Sequence, residues 1–301
     1  MPKQTNTSWG KVASWYDEYL AREDTYQSEV VLPNLIRLLD NKKREEGLPG
    51  SQRRVLDLAC GQGFFTREVA KLGAQVTGAD ISPELIAQAK KNVSEAKFYV
   101  AAATNLDFAK NGEFDLLYCV LALQNIEDVA KTFAEVKRVL KPDGRFIMVL
   151  NHPCFRVLKG SSWGYDDVAK TQYRRLDTYL TAGKFGIEMN PGAEKVNQTI
   201  SYHRSLQDFF KPLTKAGFVV TRLEEWVSHK KSAPGPRQKA EDRARKEIPL
   251  FLALEARTWS YLFKALTSFQ TIREIFWITG SRARNSLPLV ITQTKYGPCG
   301  W

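Results

Sequence analysis

The sequence predicts an α/β fold: a doubly wound, mostly parallel, seven-stranded sheet with helices on its faces, N-terminal helices ahead of it and a lid inserted after the fifth strand. Three observations predict it. From Arg53 to Leu150 short apolar runs alternate with amphipathic stretches, the pattern of βαβ units. The first apolar run ends in a Gly-x-Gly turn, Val55 to Phe65 (VLDLACGQGFF), that opens onto a helical stretch. The second run ends in an acid, Asp80, twenty-three residues after Asp57.

Five strands are expected at Arg53–Leu58, Ala74–Asp80, Lys97–Ala101, Phe114–Leu121 and Arg145–Leu150, with helices at Phe64–Leu72, Pro83–Ser94 and Val129–Leu140. Pro83 suits a first helical turn capped by Ser82, because its missing N–H has no partner there in any helix. Lys-Pro-Asp-Gly at 141–144 ends the third helix and turns the chain. Residues 9–40 read as helices with aromatic and apolar faces, and 41–52 as a charged linker. The long stretch from His152 to Thr199 has weak periodicity; a structureless loop of that length is unusual, so a lid over about 152–204 is expected. Ser205–Ala216 reads as a helix, Gly217–Trp226 and Pro249–Arg257 as strands, and 228–247 as a basic loop. The chain divides into a cap and linker (1–52), a ligand-binding domain (53–257) and an extension (258–301) of unassigned role.

Composition narrows the function classes. With 301 residues, 43% of them hydrophobic and 26% charged, the chain has the make-up of a soluble globular protein. The net charge of +11 invites nucleic acid or an anionic surface, but the basic residues are dispersed and mixed with acids, as at Glu241 and Asp242. Four cysteines form no metal-ligand spacing, so no metal is expected and reduced thiols in the cytoplasm are. The polar N-terminus has no signal-peptide core, and no apolar run reaches the ~20 residues of a membrane span.

Gly61 and Gly63 allow a tight turn where backbone approaches a ligand, at the carboxyl end of the first strand, where doubly wound sheets bind. Asp80 is placed to accept the hydroxyl hydrogens of a ribose. A dinucleotide site wants a third glycine; Thr66 stands there instead, which favours an adenosine-type ligand without phosphates.

These residues resemble the class I S-adenosylmethionine-dependent methyltransferase family, over roughly Trp9 to Arg257. VLDLACGQG is similar to its first motif, GADIS to its second-strand acid, FDLLYCVLALQNI to its fourth-strand motif and RVLKPDGRFIMVL to its helix-to-fifth-strand motif. The resemblance implies S-adenosylmethionine as cofactor, with Asp57, Gly61 and Gly63 around its methionine part, Asp80 on the ribose, Ile81 against adenine, and Ala59 and Leu121 in the same site. The family's acid after the third strand is missing from Ala102-Ala103-Thr104-Asn105-Leu106, leaving Thr104 or Asn105 for the adenine amino group.

Methyl transfer needs nucleophile, methyl carbon and sulfur in line, and often a base. The acceptor pocket is expected beyond strands four and five, beneath the lid, with Gln124, Asn125, Asn151 and His152 on its walls. His152 either serves as base for a hydroxyl acceptor or bonds the turn ahead of Pro153. His203 and Arg204 either orient the acceptor or anchor the helix that follows; His229 reads as solvated. Trp163 and Tyr165 either stack on a planar acceptor or pack the lid. Tyr16 lies in a segment resembling the N-terminal Tyr-Asp that closes over cofactor and substrate in small-molecule members. Cys154 follows the fifth strand rather than the fourth, unlike the Pro-Cys nucleophile of RNA cytosine methyltransferases, and the Asn-Pro-Pro-aromatic motif of amino-directed nucleic-acid enzymes is absent. The expected function is therefore methyl transfer to oxygen or nitrogen of a small-molecule acceptor. An RNA methyltransferase and a non-catalytic protein of the same fold are the alternatives.

Overall fold

The computed structural model describes residues 9–10, 13–20, 22–39, 53–189 and 198–260, without the side chains of Ala13, Ser14, Tyr16 and Asp17. The expectation for Tyr16 as a substrate contact therefore lies outside the described residues, as does nearly all of the 258–301 extension.

Seven strands form one sheet: β1 (Arg54–Leu58), β2 (Gln75–Asp80), β3 (Lys97–Val100), β4 (Phe114–Val120), β5 (Leu140–Asn151), β10 (Phe218–Trp226) and β11 (Phe251–Thr258). Their order is β10-β11-β5-β4-β1-β2-β3. Strands β1 to β5 run parallel to one another, while β11 is antiparallel to both β5 and β10. The order reverses between β1 and β4, which opens a crevice at their carboxyl ends.

Period-two alternation assigns each face its helices. Leu56, Leu58 and Leu117 pack with Phe133 of α5 (Val129–Val139) and Phe209 of α6 (Leu206–Lys215). Val55 and Tyr118 face the other way, toward Leu35 of α2 (Leu32–Leu39) and Phe65 of α3 (Phe64–Ala70). Phe133 is fully buried, so truncating it to alanine should cost about 3–5 kcal/mol. The helix α4 (Pro83–Asn92) is capped as expected: Leu85 N–H donates to Ser82 Oγ at 3.3 Å, with Pro83 in the first turn. In the N-terminal segment α1 (Ala13–Leu20) precedes a π-helical turn at Gln27–Val31 that runs into α2. Arg145 ties α2 to the sheet, donating through Nη2 to the Leu38 carbonyl and to Glu255 Oε2, both at 2.8 Å, while Arg257 Nε reaches Glu255 Oε1 at 3.2 Å. Burial alone would raise the Glu255 pKa, but the Arg145 hydrogen bond and the charges of Arg145 and Arg257 bring it below its ordinary value.

Three segments differ from expectation. Strand β5 begins at Leu140 rather than Arg145: Phe114 pairs with Leu140 and Leu116 with Arg145, so Lys-Pro-Asp-Gly bulges out within the strand. The weakly periodic stretch holds two antiparallel hairpins, β6 (Ser161–Asp166) with β7 (Thr171–Leu176), and β8 (Gly183–Glu188) with β9 (Gln198–His203). Within the expected basic loop, Gln238–Glu247 is a helix, α7, which buries only Ala244 and so shows almost no apolar stripe.

Candidate functional site

The loop after β1 is built on left-handed backbone. Ala59, Gly61 and Gly63 have φ of 59°, 56° and 84°, and Leu121, at the end of neighbouring β4, has φ of 53°. For alanine and leucine this geometry costs about 1–2 kcal/mol each and persists only because the surroundings enforce it. Cys60 N–H donates to the Ala79 carbonyl at 3.1 Å and Gly63 N–H to the Cys60 carbonyl at 3.0 Å, closing the turn against β2. A Cβ placed on Gly61 would meet no atom of the described residues within 4 Å apart from its chain neighbours, so this corner faces open space among them. At Gly63 the same atom would sit 3.2 Å from Val93 Cγ2, so this glycine serves the packing of the loop onto α4.

Asp80 closes the corner from β2. Its Oδ2 accepts from Gly61 N–H at 3.0 Å and its Oδ1 from Ser82 N–H at 2.9 Å. A carboxylate offers about four lone-pair sites, so each oxygen keeps capacity for a hydroxyl donor. Burial pushes the Asp80 pKa up, against the N–H groups of Ser82 and Gly61. Beside Asp80, Ile81 presents an apolar side chain at 40% exposure. Thr104 is half-buried and Asn105 exposed, in a turn closed by a bridge between Ala102 and Asn105.

Asp57 sits deeper, 2% exposed. Its Oδ2 accepts from Thr66 Oγ at 2.6 Å and from Tyr118 Oη at 3.0 Å, the latter from the residue registered opposite it on β4. Burial raises its pKa to about 7, against those two donors. Thr66, in the place of a third glycine, thus holds the acid of the first motif. Tyr118 and Gln62 were not singled out from sequence. Gln62 is 2% exposed and its Nε2 is a buried donor with no hydrogen-bond partner among the described residues. Its position between the two glycines was the signal.

A second recess lies at the carboxyl ends of β4 and β5. After β4 a single 3₁₀ turn, Leu123–Asn125, is held by β9: Ser201 Oγ donates to the Gln124 carbonyl at 3.3 Å, and Arg204 donates to the carbonyls of Leu123, Ile126 and Glu127. Gln124 Nε2 donates to the Leu121 carbonyl at 2.6 Å and Asn125 Nδ2 reaches the same oxygen at 3.4 Å. Gln124 Oε1 is buried without a hydrogen-bond partner among the described residues. A small recess, open to solvent, lies among Gln124, Asn151, Arg156, Ser201, His203 and their neighbours.

The three histidines differ from one another. His203 donates Nε2–H to the Tyr179 carbonyl at 2.7 Å, which leaves the Nδ1 lone pair without a hydrogen bond among the described residues, on a ring that lines the recess. His152 is the reverse: Cys154 N–H donates to its Nδ1 at 3.2 Å, so Nε2 carries the proton toward Glu225 Oε1 at 2.7 Å. Burial lowers its pKa, with Glu225 opposing. Both its nitrogens are engaged, so the geometry favours the turn-bonding alternative over the base. His229, expected in solvent, bonds Asp24 Oδ1 through Nε2 at 2.7 Å and packs edge-on against Tyr26.

Other expected acceptor contacts are committed elsewhere. The guanidinium of Arg204 is spent on three carbonyls and lies over the Tyr202 ring. Trp163 and Tyr165 stand on the β6–β7 hairpin, covered by Arg174 and Arg237, and neither lines the recess. Arg156, which does line it, was not singled out from sequence.

Among the described residues no His, Cys, Asp and Glu cluster could hold a metal ion, and no helix is long and apolar enough to cross a membrane.

A family model described as a methyltransferase domain matches residues 56–148. The demethylmenaquinone methyltransferase of Chlorobaculum parvum is 35% identical over 115 residues, 38% of this chain and 47% of that protein. A ubiquinone biosynthesis O-methyltransferase of Xanthomonas oryzae pv. oryzae is 35% identical over 103 residues, 33% of this chain and 43% of that protein. The chain thus spans less than half the length of these two relatives. The crystal structure of an S-adenosylmethionine dependent methyltransferase from Mesorhizobium loti aligns with a TM-score of 0.55 at 27% identity, covering 70% of this chain and 93% of that one.

Proposed function

The chain carries a class I S-adenosylmethionine-dependent methyltransferase domain, and from that premise we propose that it transfers the methyl group of S-adenosylmethionine to an oxygen or nitrogen atom of a small-molecule acceptor. The observation that carries the reading is the glycine corner: open space at Gly61 beside an Asp80 carboxylate with acceptor capacity to spare. This donor and acceptor set fits the cofactor. Asp80 accepts the hydroxyl hydrogens of its ribose, Ile81 offers an apolar face to its adenine, and the buried Gln62 Nε2 supplies a hydrogen-bond donor within the loop. Asp57, Ala59, Gly63, Leu121 and the Thr104–Asn105 turn complete the proposed binding set.

S-adenosylmethionine supplies a methyl carbon on a positively charged sulfur, which keeps the electron pair of the bond that breaks. The protein's part is positioning and proton handling. Gln124 Oε1, buried and without a partner among the described residues, accepts a hydrogen from the acceptor and fixes its orientation. His203 Nδ1 takes the proton of the attacking hydroxyl or amine, while the Tyr179 carbonyl on Nε2 steadies the imidazolium that forms. The proton then passes to water. Arg204 and Ser201 hold the turn bearing Gln124 and act through it. The O-methyltransferase and demethylmenaquinone methyltransferase names of two relatives support small-molecule acceptors.

The test is a labelled-methyl transfer assay offering a cell metabolite extract and total RNA in parallel. Label in the small-molecule fraction supports the reading. Label in RNA alone moves the function to nucleic acid, and label in neither, with cofactor failing to bind in calorimetry, leaves a non-catalytic protein.

A further inference from the structure

Among the described residues, Arg156 is the one cationic side chain of the recess whose hydrogen-bond donors are largely unspent. Its Nη1 donates to Asn151 Oδ1 at 2.6 Å, and its guanidinium lies 5.6 Å from the centre of the Phe251 ring. No carboxylate among the described residues pairs with it. The edge formed by Nε and Nη2 is left with no hydrogen bond among those residues. Arg156 keeps solvent access, yet burial is the main influence lowering its pKa, with the charge of Arg174 acting in the same sense. The two facts together describe a guanidinium at the mouth of a recess rather than on a convex surface.

The rest of the lining has matching chemistry. No acidic side chain contributes to it. Arg204 and His203 add further positive or proton-binding character, and Leu150, Pro153, Leu158 and Phe209 form apolar walls. Arg156 is exposed to solvent and has no counter-charge among the described residues, so an anion entering the recess can pair with its free edge.

We propose that the acceptor bound in this recess is a small hydroxylated carboxylate, its carboxylate paired with the Nε–Nη2 edge of Arg156, its carbon skeleton against the apolar walls and its hydroxyl directed to His203 and Gln124. The planar two-donor edge selects a planar two-oxygen anion, since an Arg–carboxylate pair is strongest when bidentate. The proposal rests on the methyl-transfer reading for the role of this recess, but the charge preference can be measured without turnover.

The experiment uses the full chain saturated with S-adenosylhomocysteine and two probes of nearly equal shape, 4-hydroxybenzoate and 4-hydroxybenzamide, titrated by ligand-observed NMR. The anion should bind at least tenfold tighter than the amide. Arg156→Gln should weaken 4-hydroxybenzoate at least tenfold and leave the amide within threefold, and Arg156→Lys, which keeps the charge and loses the fork, should fall between. Equal binding of the two probes, unchanged anion affinity in Arg156→Gln, or no binding of 4-hydroxybenzoate overturns the proposal. S-adenosylmethionine affinity of the same proteins, read by calorimetry, separates the two ideas. Charge-selective probe binding without cofactor binding sinks the methyl-transfer reading, and cofactor binding without charge selectivity sinks this one.

Discussion

Gly61→Ala and Gly63→Ala are the same chemical change two residues apart, and the structure gives them opposite signatures. Both glycines are left-handed, so either alanine costs about 1–2 kcal/mol in backbone strain, offset by about 0.4–1 kcal/mol from a stiffer unfolded chain. At Gly61 the new methyl meets nothing within 4 Å, so the net loss of stability should be roughly 1 kcal/mol, a fall in Tm of about 2–4 °C. At Gly63 the methyl lands 3.2 Å from Val93 Cγ2 and 3.5 Å from both Ala89 Cβ and Phe98 Cζ, adding overpacking of about 1–3 kcal/mol. Binding should invert this order. If the open space at Gly61 receives the cofactor, the methyl intrudes on the ligand and should weaken S-adenosylhomocysteine by about 1–3 kcal/mol, some 5- to 150-fold. Gly63→Ala should lose more stability and less affinity per folded molecule. Thermal melts and calorimetric titrations of the two variants measure both quantities. A Gly61→Ala protein that binds the cofactor as tightly as wild type refutes the reasoning, because the space would then belong to no ligand.

Asp80→Asn removes a charged acceptor and sets an NH2 against one of the N–H groups of Gly61 or Ser82; the loss of a charge-assisted bond, about 1.5–3 kcal/mol, should weaken the cofactor roughly 10- to 150-fold in calorimetry, and affinity within threefold of wild type would remove the ribose assignment. His203→Gln should lower kcat by about 10²- to 10⁴-fold at unchanged cofactor affinity, whereas a change confined to KM would make His203 a positioning residue. Asp57 has a folded pKa of about 7, raised from 3.8, so between those values the folded state binds more protons than the unfolded one. Its contribution to stability is therefore full below 3.8 and declines as pH rises to about 7; denaturant midpoints from pH 4 to 8.5 should show this slope in wild type relative to Asp57→Asn, and equal slopes would place the pKa elsewhere.

The sheet was legible because its signals are local. Apolar runs fully buried on both faces of a parallel sheet, such as Leu116–Val120, announce themselves, and Ser82-Pro83 marks a helix start without reference to anything distant. The hairpin β6–β7 was not legible, since its strands are exposed or half-buried without the strict alternation that identifies a half-buried strand, and the inward positions of β9 are the polar Thr199, Ser201 and His203. Helix α7 was hidden for the same reason: with Ala244 alone buried, nothing distinguishes it from a charged loop.

The site divides along a similar line. Gly61, Gly63 and Asp80 are set by one strand-turn-helix unit and its neighbour, so their proximity could be read from spacing. The roles of the histidines depend on partners far along the chain, Tyr179 for His203 and Glu225 for His152, which sequence does not bring together. Arg204 shows the limit most clearly. Its charge suggested an acceptor contact, and only the fold reveals that three carbonyls of the turn after β4 already occupy it.

The central claim is that the corner made by Gly61 and Asp80 holds a sulfonium nucleoside. A crystal grown with S-adenosylhomocysteine tests it most directly. The ligand should lie at the carboxyl ends of β1 and β2 with its ribose hydroxyls within hydrogen-bond distance of the Asp80 carboxylate and its sulfur turned toward the recess of Gln124 and His203. Ligand density elsewhere, or a corner left empty at saturating ligand, contradicts the account.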